Sequence, residues 1–205
     1  MALSDLFSRR RKEDQNGADG PVQPTMALDR FLSGLSGRVQ PVLLDLGPVV
    51  GPNVTFFGEE VGCKILVEDL SKDIDRHVTL GKLEELPKFF DTRFPQDAET
   101  IDGILCWDIF DYLDRGSADR LARQLKRVLR PDGVMLAFFS TTEPRPTPHP
   151  TYTKHVVVDR KHLHYRPYSG MRAKQRPLLN RDIERLFEPL RITENFLLKI
   201  GRAHV

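Results

Sequence analysis

Nowhere does the sequence carry an apolar run close to the roughly 20 residues that span a bilayer. The first stretch, "MALSDLFSRRRKEDQNGADG", has no apolar core ahead of a small-residue cleavage site, so it does not read as a secretory signal. These absences give cytoplasmic as the expected location, with no transmembrane segment. Cysteine is scarce: Cys63 and Cys106 are the only two, and neither belongs to a C-x-x-C pair. That excludes a disulfide framework, and in their apolar contexts both read as small buried hydrophobes. An excess of one charge is missing as well, since 31 basic residues against 29 acidic ones leave a net +2. With no basic stripe or aromatic–basic platform, nothing argues for nucleic acid. The run Arg9-Arg10-Arg11-Lys12 is followed at once by Glu13 and Asp14. It reads as a solvated tail, with contact to an anionic surface as the alternative.

What is present is an ordinary globular composition, 40% hydrophobic and 29% charged over 205 residues, enough for one sizeable domain. Residues 1–25 are polar and broken by glycine and proline, and are expected to be a disordered tail. Residues 26–205 form the domain. "TMALDRFLSGLSGR" predicts a short amphipathic helix burying Met26, Leu28, Phe31, Leu32 and Leu35 and ending at Gly37. "PVLLDL" and "CKILVEDL" read as buried strands, with "GPNVTFFGEEVG" a short helix between them. Ser71 to Phe90 reads as mainly helical. "TIDGILCWDIFDYL" begins as a continuous apolar strand of the kind a sheet covered on both faces requires. "GSADRLARQLKRVLR" repeats Ala118, Leu121, Leu125, Val128 and Leu129 at helical spacing, and Pro131-Asp132-Gly133 turns the chain into the strand "VMLAFFS". This alternation predicts an α/β fold: a doubly wound, mostly parallel Rossmann-like sheet with helices on both faces. "TTEPRPTPHPT" is a loop, and "KHVVVDRKHLHYRPY" two short strands around Asp159-Arg160-Lys161. Loop and hairpin together make an insertion at about 141–170. "NRDIERLFEPL" is a helix with Asn180 as N-cap. A C-terminal antiparallel strand, bent at Gly201, ends the chain.

In a parallel sheet, ligands sit beyond the carboxyl ends of the strands where the strand order reverses. The first strand ends in Asp45-Leu46-Gly47 with Gly51 beyond, the second in Glu68-Asp69, and a later one in Cys106-Trp107. A glycine turn lets backbone approach a ligand, and a carboxylate accepts both ribose hydroxyls. These residues, with "IDGILCWDIFDYL" and "LKRVLRPDGVMLAFF", resemble the class I S-adenosylmethionine-dependent methyltransferases, as a methyltransferase type 11/12-like domain, over residues 26–140. Asp45-Leu46-Gly47 and Gly51 fit the family's D-x-G-x-G-x-G loop, and Asp132 stands where its L-x-P-G-G turn has a glycine. The resemblance implies S-adenosyl-L-methionine as cofactor and a methyl acceptor, for which a small molecule is the expectation. It implies that Asp45 orients the loop and contacts the methionine part, and that Gly47 and Gly51 allow close approach. Asp69, or Glu68 beside it, would bind the ribose. Asp97 would reach the adenine amine, and Cys106 and Trp107 would lie alongside the cofactor.

The loop departs from the family at Pro48-Val49-Val50. Val49 replaces the central glycine, and Pro48 removes an amide donor. A loop that still binds needs Val49 in an ordinary backbone region with its side chain turned into the sheet–helix core. A catalytically inactive methyltransferase-like interaction module is the alternative. A nicotinamide dehydrogenase lacks its third loop glycine here. Asp108 and Asp111 read either as base and substrate gate or, in the reading preferred, as a turn cap and a solvent-exposed side chain. His155, His162 and His164 suggest a metal, but no further ligand at suitable spacing joins them, so surface histidines of a hairpin are the expectation. Tyr152, Tyr165, Tyr168 and Arg166 line a substrate pocket or pack as an ordinary hairpin, with equal weight. No catalytic residue is assigned.

Overall fold

The computed structural model describes residues 20–196. In chain order the strands are β1 (Val22–Pro24), β2 (Val42–Asp45), β3 (Lys64–Val67), β4 (Ile101–Trp107), β5 (Leu129–Ala137), β6 (Thr151–Asp159) and β7 (His162–Ser169). The helices are α1 (Met26–Gly34), α2 (Gly51–Thr55), α3 (Leu70–Thr79), α4 (Leu86–Phe90), α5 (Arg115–Val128) and α6 (Asn180–Phe187). A π-helical turn, Phe56–Glu60, continues α2. Strands β3-β2-β4-β5 make a parallel sheet in that order, and β1-β7-β6 a separate antiparallel one. The architecture is α/β and compatible with a Rossmann-like fold.

The period of two along each strand divides the core. Leu43, Leu105 and Leu136 pack with Leu28, Phe31 and Leu32 of α1 and with Val157 and Leu163 of the antiparallel sheet. Leu44, Ile104 and Cys106 pack on the other face with Ile74, Phe90, Leu121 and Phe187. Every residue of β4 is buried, as its unbroken apolar run requires. The α5 helix starts where Asp114 Oδ1 accepts the amide of Ser117 at 3.0 Å. At the start of β4, Asp102 ties three strands together. Its Oδ2 accepts the Val42 amide at 2.8 Å, and its Oδ1 accepts Arg38 Nη1 at 2.8 Å and Arg130 Nη1 at 3.0 Å. Burial alone would raise this carboxyl's pKa, but the amide and the two guanidiniums outweigh it and hold it below the usual range. Asp132, in the glycine's place of the turn, adopts the left-handed region with φ +59°.

Several expectations are corrected. Val22–Pro24 is a strand paired with His162–His164, where residues up to 25 were read as tail. Met26 is 48% exposed rather than buried. Leu179, not Asn180, caps α6, and its amide is taken by Asp182 Oδ2. Residues 191–196 carry no regular structure. The rest of the expected C-terminal strand, Gly201 and the basic run at residues 9–12 lie outside the described residues.

Candidate functional site

The chain leaves β2 toward β3 on one side, while β4 and β5 lie on the other. The order therefore reverses between β2 and β4, whose carboxyl ends are Leu46-Gly47 and Trp107-Asp108. That crevice is where an open α/β sheet receives ligands.

Asp45 closes β2 and is 3% exposed. A single oxygen, Oδ1, accepts both the Gly47 amide at 2.9 Å and the Trp107 indole Nε1 at 2.6 Å. Burial pushes the carboxyl's pKa up to about 6, the two hydrogen bonds pull it down, and the neighbouring Asp69 charge raises it further. No cation among the described residues enters that balance. Trp107 itself sits at φ +48°, an outlying conformation for a bulky residue. Its surroundings fix it there: Asp45 holds the indole, the Phe138 amide donates to its carbonyl at 2.7 Å, and the His155 ring stacks on it at 5.1 Å and 4°.

The two loop glycines differ. A Cβ on Gly47 would lie 2.8 Å from Trp107 Cδ1, so glycine is needed there for the indole to pack. A Cβ on Gly51 would meet nothing within 4 Å. Val49 has no positive φ, as a functioning loop requires, yet the residue is 64% exposed. The expected burial of Val49 against the sheet is thus incorrect, because the loop carries it outward before α2 begins.

At the end of β3, Glu68 is engaged by Arg93 Nη1 at 2.7 Å and Gln96 Nε2 at 3.2 Å. Asp69 is tied to two residues that line the crevice: Ser71 Oγ donates to its Oδ1 and Tyr168 OH donates to Ser71 Oγ at 2.9 Å, while Lys72 pairs with its Oδ2 at 2.8 Å. Cys106 is fully buried, and burial pushes its thiol far above the ordinary value, so it stays protonated. It lines the cavity together with Leu46, Gly47, Trp107, Tyr152 and Tyr168. Asp97 is not brought there. It precedes β4 at the opposite end of the sheet, about 20 Å away by strand rise, and its carbonyl accepts from Thr100.

No protein-family model matches the chain, and no curated protein matches its sequence. Its geometry alone must argue the function.

Much of the crevice is filled from above by the β6–β7 hairpin. Tyr152 reaches Asp75 and meets the Tyr112 ring edge-on at 4.7 Å, while Tyr168 reaches Ser71. Asn53 in α2 clasps the hairpin backbone, donating to the His155 carbonyl at 2.9 Å and accepting the Val157 amide at 2.8 Å. The remaining cavity is about 20 Å³ for the centre of a water-sized sphere, room for about one water. Of the hairpin residues singled out from sequence, Tyr152 and Tyr168 line it. Tyr165 packs edge-on against His155, in the cluster on the other face, at 5.2 Å.

Asp108 and Asp111 follow β4 and are both buried, which overturns the solvent-exposed reading of Asp111. Lys174 comes across from the segment after β7, with Nζ 2.7 Å from Asp111 Oδ2 and 3.2 Å from Asp108 Oδ2. Burial opposes the lysine's charge, but the two carboxylates prevail and hold its pKa above the ordinary value. His155, His162 and His164 do not converge: His155 is buried against Trp107, while His162 pairs with Asp159 near the hairpin turn. Among the described residues no group of three metal-ligating side chains assembles. Sequence reasoning missed Asn53, Ser71 and Lys174; an asparagine inside the apolar "GPNVTFF" was the one available signal, since a buried amide needs partners.

Proposed function

We propose that the crevice between β2 and β4 binds S-adenosylmethionine and that the chain transfers its methyl group to a small-molecule acceptor. Asp45 carries this reading. A buried carboxylate at the crevice, with its pKa near 6 and no cation beside it among the described residues, suits a ligand that brings an ammonium group, as the methionine part does. Asp69 would accept from the ribose hydroxyls, and the open space over Gly51 leaves the backbone approachable. The donor set fits a cationic ligand better than a dinucleotide. Pro48 and Pro52 remove amide donors where a pyrophosphate would need them, and Asp45 would repel its charge. Volume is where ligand and crevice disagree, since a nucleoside-sized ligand takes several hundred Å³. Binding therefore requires Tyr152 and Tyr168 to withdraw. When bound, the cofactor supplies an activated methyl group on a sulfonium; the chain's part is to hold and align the reactants.

The filled crevice favours a second reading, a methyltransferase-like module without catalysis. Isothermal titration with S-adenosylmethionine and S-adenosylhomocysteine decides between them. Saturable heat with both, and none with a nicotinamide dinucleotide, supports the first. Absence of heat and of any thermal shift at millimolar ligand overturns it in favour of the module.

A further inference from the structure

The pair Asp108 and Asp111, with Lys174 between them, builds a complete site for an alkylammonium. Lys174 Nζ donates to Asp111 Oδ2 at 2.7 Å and to Ser140 Oγ at 3.1 Å, stands 3.2 Å from Asp108 Oδ2, and lies 5.4 Å over the Tyr112 ring. Two carboxylates, a hydroxyl and an aromatic face are what a desolvated ammonium requires. Asp108 and Tyr112 line the same cavity as Gly47 and Trp107. An ammonium at this position thus borders the cavity proposed to receive the methyl donor. The lysine that fills it comes from residues 170–179, a stretch without regular structure, and is about one third exposed. It occupies the site from outside.

A second, independent group points the same way. His155 is 3% exposed at its side chain, its Nδ1 has no hydrogen-bond partner among the described residues, and that nitrogen faces Asp108 Oδ1 at 3.9 Å. A buried polar atom without a partner is uncommon and calls for an account. Asp108 lies between this nitrogen and the ammonium, one oxygen toward each.

We propose that the acceptor is an alkylamine that displaces Lys174 from Asp108, Asp111 and Tyr112, and that His155 takes its proton by way of Asp108. The proposal rests on the methyl-transfer reading for its chemistry. Burial lowers the His155 pKa and leaves the ring neutral, so its Nδ1 is free to take a proton, while the same burial makes it a weaker base and the transfer an uphill step. One proton leaves the ammonium for Asp108 and on to His155 Nδ1. The nitrogen lone pair then forms the N–C bond as the donor's C–S bond breaks, and that electron pair stays on sulfur. The product nitrogen carries the positive charge that the sulfonium gives up, and His155 returns its proton to water when the site reopens.

The test removes the internal ammonium. Lys174→Ala is titrated with n-butylammonium chloride, followed by thermal unfolding and by calorimetry, with butanol and sodium chloride as controls. The expected result is a lowered melting temperature restored saturably by n-butylammonium alone, with affinity at least about tenfold above that of the wild type. Adding Asp108→Asn to the variant should abolish that rescue. If Lys174→Ala does not fold unaided, refolding in n-butylammonium but not in sodium chloride gives the same answer. Equal effects of butanol or sodium chloride, or no rescue, overturn the proposal. Methylated butylamine on incubation with S-adenosylmethionine completes the support. Rescue without methylation, together with no heat from S-adenosylmethionine, faults the donor site and leaves the ammonium site standing. Rescue without methylation while S-adenosylmethionine does bind overturns the acceptor assignment.

Discussion

Replacing Asp45 by asparagine separates what this carboxylate does for the fold from what it does for the ligand. Both of its hydrogen bonds end on Oδ1, so an amide oxygen in that position keeps them, and the amide nitrogen takes the place of Oδ2. What is lost is a buried charge. A carboxyl whose pKa is about 6 in the folded protein, against 3.8 ordinarily, binds its proton more tightly when folded. Its contribution to stability is fully present below the unfolded value and disappears as pH rises through about 6. The difference amounts to about 3 kcal/mol of destabilisation at pH 8. That figure already includes the two hydrogen bonds, which pull the carboxyl's pKa down against burial. Asp45→Asn should therefore be more stable than the wild type by about 3 kcal/mol at pH 8, a gain of about 6–12 °C in melting temperature. At pH 4 the advantage should vanish. Urea unfolding of both proteins across that range measures it. A difference that does not change with pH, or a variant less stable than the wild type at pH 8, would refute the account of Asp45 as an uncompensated buried charge. Under the proposed function the same variant should bind S-adenosylmethionine more weakly, so stability and affinity move in opposite directions.

Asp69→Ala should cost about 1.5–3 kcal/mol of S-adenosylmethionine affinity by calorimetry, through loss of a charged acceptor. Glu68→Ala should cost little, because Arg93 and Gln96 already engage that carboxylate; the reverse outcome moves the ribose role to Glu68. Val49→Gly should destabilise by less than about 1 kcal/mol, since the side chain is mostly in solvent and only chain entropy is added. It should bring no gain in cofactor affinity, and a measured gain would identify the valine as a block. Asp102→Ala should lower stability by about 2–4 kcal/mol in urea unfolding, because the Val42 amide and two guanidiniums lose their common acceptor. A loss below about 1 kcal/mol would contradict the role of Asp102 in joining the strands.

The parallel sheet was legible because its strands are short apolar runs between breakers, and α5 because its leucines recur at helical spacing. The grouping of Gly47, Cys106 and Trp107 around the cavity, with Asp45 bonded to two of them, followed from topology, since each lies at the carboxyl end of a parallel strand. Other features depend on distant partners that local pattern cannot reveal. Val22–Pro24 has no alternation of its own and becomes a strand only by pairing with β7, far along the chain. Asp111 is buried because Lys174, 63 residues later, neutralises it. Asp97 was placed by a motif match without a strand to hold it, and no strand is there to bring it to the crevice. Val49 was legible in backbone and misread in side chain: its φ followed from sterics, but the direction of a loop side chain depends on where the next helix begins.

Asn53 gives the closed crevice a clock. Its amide stands in for one residue of a neighbouring strand, and the Val157 N–H it holds is buried while the hairpin stays down. That proton can exchange with deuterium only when the hairpin lifts. Its exchange rate reports the free energy of opening as long as reclosing is fast. An occupant that wedges the tyrosines apart should speed exchange at Val157 while slowing it at Gly47, whose amide lies beneath. Opposite changes at two amides in one spectrum would separate a ligand inside the crevice from one bound elsewhere on the surface.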